Sequence, residues 1–288
     1  MSDPAAETGT TTGSNQAPVN ASVAESGRPG PPPKEPLDPN AGKSLTIEVD
    51  GTRWARVPIQ TALFGRGDPV ADKLSDYVVK TVRLAEDDSR FEGAFDEPWY
   101  VVVSEKIVAI SQGRSYFTWE INPTPAARVL SKWVQRTPHG IGLGSPWTMQ
   151  LAIKEAGLPR IVVAAGASVV GKALGRRGWF YRVAGHRVNA IDGPTPYSAF
   201  PSNVSAKLPP KAPDKMAAEI TATLRKVLPS GPAGTLGGTV VIDSNDLGRD
   251  VLGHDTSRPI EFFAELFRDN PFGQGRQQTP VAVCVHRP

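Results

Sequence analysis

Apolar side chains are sparse before position 44 and then recur in short, regular groups to the end of the chain. LTIEV (45–49) and RWARVPI (53–59) flank Asp50-Gly51. Asp-Gly suits a tight two-residue turn, so this stretch predicts a β-hairpin. Val70, Leu74, Tyr77, Val78 and Val82 follow helical spacing and predict a helix over 68–82. Trp99 to Val103 is a compact apolar strand, which KIVAI (106–110) is expected to continue as extended chain. Segments 125–134 and 146–156 each open with proline in the first turn, as helices tolerate. Arg160 to Ala165 has the composition of a buried strand running into a helix through Gly166. An amphipathic helix over 213–228, a strand over 238–243, a helix over 260–268 and a strand over 280–286 complete the pattern. The expected fold class is α+β, with mixed or antiparallel sheets and flanking helices.

Composition sharpens this outline. Residues 1–43 hold eight prolines with much Gly, Ser and Thr, which cannot bury enough surface to offset ordering entropy. They are expected to form a disordered tail ahead of one domain over 44–288. The single cysteine, Cys284, excludes an intrachain disulfide and a cysteine-rich zinc site. Its setting in VAVCV reads as a small buried hydrophobe rather than a reactive thiol. No apolar run reaches membrane-spanning length and the N-terminus lacks signal-peptide character, so a cytoplasmic location without membrane contact is the expectation. The net charge of +3 is too mild to argue for nucleic acid.

Four segments carry candidate chemistry. Between Glu155 and Asp192 there is no acid, while Arg160, Lys172, Arg176, Arg177, Arg182 and Arg187 all fall there. Interleaved glycines let backbone N–H groups approach an anion, so GASVVGKALGRRG reads as either a phosphate-binding segment or a solvated basic face. It is no P-loop, because Ala173 follows Lys172. Arg136 to Gln150 is a Gly-rich turn entering a proline-started helix, and His139 there could donate to a phosphate or relay a proton. Asp243, Asn245 and Asp246 cluster at a strand end as hard oxygen donors for Mg²⁺ or Mn²⁺, or simply as turn formers. Asp192-Gly193-Pro194 reads as a turn.

Several short matches fall in one order along the chain. They are Gly67-Asp68 before a helix, Ser104-Glu105-Lys106-Ile107-Val108 followed by Gln112-Gly113-Arg114, and His139-Gly140. Ser244 to Arg249, and Gly273-Gln274-Gly275 before Thr279-Pro280-Val281, complete the set. Over 45–288 the chain resembles the coenzyme F420-0:γ-glutamyl ligase family. The resemblance implies a GTP-dependent ligase with a divalent metal, an α+β fold of that family's type, and an intertwined homodimer. This sequence departs from the family pattern by carrying Ile110 where a second lysine is usual, and no acid from Leu143 to Gln150. Asn245-Asp246 stands where the family has an Asp-Thr pair.

The leading expectation is therefore a GTP- or ATP-dependent amide ligase. It would join an amino acid, by default L-glutamate, to a carboxylate acceptor such as F420-0 through an acyl phosphate. Ser104, Lys106, Lys172, Arg176, Arg177 and Arg249 would contact the nucleotide, and Asp243, Asn245, Asp246 and Gln274 would surround Mg²⁺ or Mn²⁺. His139 and Lys106 would be catalytic. The alternative keeps the fold as a non-catalytic nucleotide- or anion-binding module. A third reading, base stacking on Trp179, Phe180 and Tyr181 beside arginines, ranks last.

Overall fold

The computed structural model describes residues 33–134, 142–176, 178–194, 202–244, 248–273 and 277–287. In chain order the elements are β1 (Thr46–Val49), β2 (Thr52–Ile59), α1 (Val70–Glu86), β3 (Trp99–Ser104), α2 (Glu105–Ser111) and β4 (Ser115–Phe117). Then follow α3 (Pro125–Lys132), α4 (Pro146–Ala156), α5 (Leu158–Ala173), α6 (Trp179–Ala184), α7 (His186–Asn189) and β5 (Ser205–Lys207). The chain closes with α8 (Pro213–Val227), α9 (Ser230–Thr235), β6 (Leu236–Ser244), β7 (Arg249–Asp255), α10 (Ile260–Leu266) and β8 (Val281–His286).

Six strands form one mixed sheet in the order β1-β2-β8-β3-β6-β7, so the fold is α+β as expected. Only β3 and β6 run parallel; every other pairing is antiparallel. The hairpin turns at Asp50 (φ 52°) and Gly51 (φ 72°), both left-handed as an Asp-Gly turn requires. Strand periodicity sends Val101, Val103, Val281, Val283 and Val285 to one face, against α1 and α8. Tyr100, Val102, Ala282 and Cys284 go to the other face, against Phe262, Phe263 and Leu266 of α10. A second core, built around Leu143, Met149, Ile161, Ala164 and Leu208, belongs to a helical module carried on the small β4–β5 sheet.

Two segments differ from their sequence pattern. KIVAI is not extended, because Ser104 caps a helix there: its Oγ accepts from the Lys106 N–H (3.4 Å), and Ile107, Val108 and Ser111 then share a buried face. Arg160 to Ala165 is likewise helical, inside α5, where Ile161 and Ala164 face the module core while Val162 and Val163 face outward. A run of β-branched residues looks like a strand by composition, but burial at helical spacing decides the outcome.

The packed body also reaches upstream of Ser44. Leu37 is buried, and Asn40 Nδ2 donates to the Pro271 carbonyl (2.8 Å) and to Thr279 Oγ1 (2.7 Å). Buried in β2, Arg56 donates to the Leu266 carbonyl (3.0 Å) and pairs with Asp269. No single helix among the described residues is long and apolar enough to cross a membrane.

Candidate functional site

The helical module leaves the sheet after α2 and returns through β5. Both crossings are stitched to the body: Leu208 N–H donates to the Arg114 carbonyl (2.9 Å), and Gln112 and Lys211 exchange two hydrogen bonds (2.7 and 2.9 Å). Arg114 is itself buried, and its Nη2 meets Glu155 Oε2 (2.9 Å), whose other oxygen takes Arg187 (2.9 Å). The Gln112-Gly113-Arg114 motif thus closes the neck of the module.

That closure sets the carboxyl ends of the parallel pair against the module. Ser104 pairs with Ile242, so Glu105 and Asp243 lie at neighbouring strand ends. Lys207 is fixed from both sides: β5 pairs it with Ser115, and its backbone exchanges bonds with Asp192 (2.8 and 3.1 Å). Its neighbour Ala206 belongs to the module core, so strand alternation turns Lys207 the opposite way. Glu105, Lys106, Lys207, Asp192 and Asp243 consequently feel one another's charge.

Burial dominates this group. It pushes the Glu105 carboxyl up to about 8, with the like charge of Asp243 adding to the effect and Lys106 and Lys207 opposing it. Burial also lowers the Lys207 ammonium, and the adjacent Lys106 charge lowers it further. Glu105 and Lys207 are each only 7% exposed, Lys106 and Asp243 are half-buried, and Asp192 is exposed. Two ammonium and three carboxyl groups share a boundary between sheet and module. Such a set can hold an oxyanion, offer hard oxygen donors to a cation, and exchange a proton near neutral pH.

Of the residues expected from sequence, the fold brings together Ser104, Lys106 and Asp243. Arg249 is exposed at the start of β7, opposite Ser244. Lys172 and Arg176 are exposed at the carboxyl end of α5, where Lys172 complements the helix dipole. Neither is among the charges acting on Glu105 or Lys207. His139, Arg177, Asn245, Asp246 and Gln274 lie outside the described residues. Among the described residues no group of three His, Cys, Asp or Glu side chains is arranged to hold a metal ion.

Sequence reasoning missed Glu105, Lys207 and Asp192 as site residues. Glu105 lies inside the Ser104 to Val108 motif, where its sequence neighbours do not reveal its burial. Asp192 was legible only as a turn former. Lys207 has one weak signal in the sequence, a lysine between the apolar Ala206 and Leu208. Comparison of the sequence with protein-family models and with curated proteins finds no match.

Proposed function

We propose that the chain is a nucleotide-dependent amide ligase, a divergent relative of the F420-0:γ-glutamyl ligases with that family's fold. The observation that carries the reading is the charge cluster at the carboxyl ends of β3 and β6, where ligands of open α/β sheets bind. The ordered matches over 45–288 support it independently.

In this reading the acceptor carboxylate attacks the γ-phosphorus of GTP or ATP, and the nucleoside diphosphate leaves. An amine, by default that of L-glutamate, then attacks the acyl carbon; phosphate departs and the nitrogen gives up a proton. Lys106 offsets the charge that develops on the transferred group, the kind of fixed electrostatic support that dominates phosphoryl transfer. Glu105, a buried carboxyl raised to about 8, would in its ionised form take the proton from nitrogen. Asp243 is a hard oxygen donor suited to Mg²⁺ or Mn²⁺, which would neutralise phosphate charge with water and phosphate oxygens completing its shell.

A cytoplasmic location and a homodimer belong to the same reading. The outward stripe of α5, where Val162, Val163, Val169, Val170 and Leu174 are each more than half exposed, is the candidate contact for a second copy. The test of the ligase is release of GDP or ADP that needs a divalent metal, a carboxylate and an amino acid, with the amide product identified by mass. F420-0 with L-glutamate heads the panel. Lys106→Met should lower turnover about 100-fold. Folded protein inactive on every pair would overturn the reading.

A specific observation favours the non-catalytic alternative: Leu143 to Gln150, the entry and first turns of α4, contain no acid. Nucleotide binding that is indifferent to metal and never followed by turnover would establish it.

A further inference from the structure

An open pocket of about 540 Å³ lies at the amino end of β3, between the Asp50 turn and the first turn of α10. That volume is within the range of small-molecule sites. Its floor is aromatic: Tyr100 and Phe262 line it, and Trp54 packs on both, with ring centroids 6.0 and 5.1 Å away. A Cβ on Gly237 would stand 2.5 Å from Tyr100 Cε1, so β6 walls the Tyr100 ring in place. Tyr100 is only 5% exposed, yet its hydroxyl has no hydrogen-bond partner among the described residues. Buried tyrosine hydroxyls normally have one, so this group is left for something that enters the pocket.

Arg258 is in a related state. Its guanidinium carbon lies 3.8 Å from the Phe262 ring centroid and 5.1 Å from that of Trp54, so rings occupy its face. Only its backbone N–H is hydrogen-bonded, to Thr256 Oγ1 (3.2 Å), which leaves the planar guanidinium edge open to a carboxylate. Asp50 and Glu261 stand at the rim, exposed and without ion-pair partners among the described residues, whereas Glu265 is engaged by Arg268. A purely anionic ligand would suit Arg258 but meet those two carboxylates unfavourably. A ligand with an ammonium beside its carboxylate suits all three.

The geometry points to a binding site for an aromatic amino acid in its zwitterionic form. Its carboxylate meets Arg258 and the Tyr100 hydroxyl, its ammonium faces Asp50 and Glu261, and its ring lies against the Tyr100–Phe262 floor. The aromatic floor offers nothing to the side-chain carboxylate of glutamate, so this is a second ligand site and not the amine site of the ligase reading. It also stands apart in space: Tyr100 precedes Ser104 by four strand residues, roughly 13 Å.

Calorimetric titration of the full chain with L-phenylalanine tests it, with 3-phenylpropionate and phenethylamine as comparators that lack the amine and the carboxylate in turn. L-phenylalanine should bind, and each comparator should bind about tenfold or more weakly, as loss of a charged hydrogen bond does. Arg258→Ala should weaken L-phenylalanine by a similar factor. Tyr100→Phe, which keeps the ring, should weaken it about fivefold. Glu261→Gln should weaken L-phenylalanine and leave 3-phenylpropionate no weaker than before. Lys106→Met, at the other end of β3, should bind L-phenylalanine as the parent does, which separates this result from the fate of the ligase. A parent chain that does not bind L-phenylalanine at millimolar concentration overturns the inference. So does binding that ignores both Arg258→Ala and Tyr100→Phe, or 3-phenylpropionate binding as tightly as the amino acid.

Discussion

Cys284 and Glu105 are both buried, and burial opposes ionisation in each. For Cys284 the thiol is pushed up to about 12, with only the charge of Arg56 opposing, so it stays protonated and inert in the sheet core. For Glu105 burial raises the carboxyl first and the charge of Asp243 adds to it, while Lys106 and Lys207 oppose, which leaves it at about 8. The sign of its stability effect follows. A carboxyl held at about 8 in the folded chain, against ~4.3 unfolded, binds more protons folded than unfolded between those values. Its ionisation is therefore free of cost in acid and increasingly costly as pH rises toward 8. In metal-free buffer the Glu105→Gln chain should melt about 3 °C or more above the parent at pH 8.5, with the gap closing at pH 5. A gap that ignores pH would mean the carboxyl is not held protonated by its surroundings.

Among the elements, β7 lies unusually close to the start of α8. His254 N–H donates to Asp214 Oδ1 (2.9 Å), and a Cβ on Gly253 would overlap the Pro213 carbonyl carbon and the Asp214 nitrogen. Backbone cannot give way as a flexible side chain can, so Gly253→Ala should cost about 1–3 kcal/mol in urea unfolding. Gly231→Ala, in α9 with open space around it, should be neutral or slightly stabilising. Equal losses in both would show that this contact is not the source of the cost. A similar close approach joins α5 to α6, where a Cβ on Gly171 would stand 2.9 Å from Trp179 Cγ. From sequence that glycine belongs to a segment that is either phosphate-binding or a solvated basic face, and in the fold it lets a tryptophan pack against a helix.

Across the whole molecule, the six-stranded sheet is covered on both faces, whereas the α5 stripe is exposed among the described residues. An aliphatic row of this kind on a soluble surface marks a contact. Light scattering of the parent chain at micromolar concentration should give twice the mass of one chain, and Val170→Asp should return it to one. A monomeric parent would remove the homodimer from the proposed function. The basic residues beside the stripe, Arg160, Lys172 and Arg176, are exposed, and Arg160 Nε donates to the Val183 carbonyl (2.8 Å).

Local chemistry was enough to specify much of this protein. The Asp50-Gly51 hairpin, the proline-started α3 and α4, the periodic α1 and α8, and the apolar strands of the sheet were all readable, because each depends on neighbours within a few positions. Asp243 was readable as a hard oxygen donor at a strand end for the same reason, whereas Lys106 stood out only through the family resemblance. The helices at Glu105–Ser111 and Leu158–Ala173 were not, since which face of a β-branched run is buried depends on what packs against it. The parallel pairing of β3 with β6, and the meeting of Glu105, Lys106, Asp192, Lys207 and Asp243, were decided only by the tertiary fold. Charge acts through space, and the partners that set the state of Glu105 and Lys207 come from segments that the sequence keeps far apart.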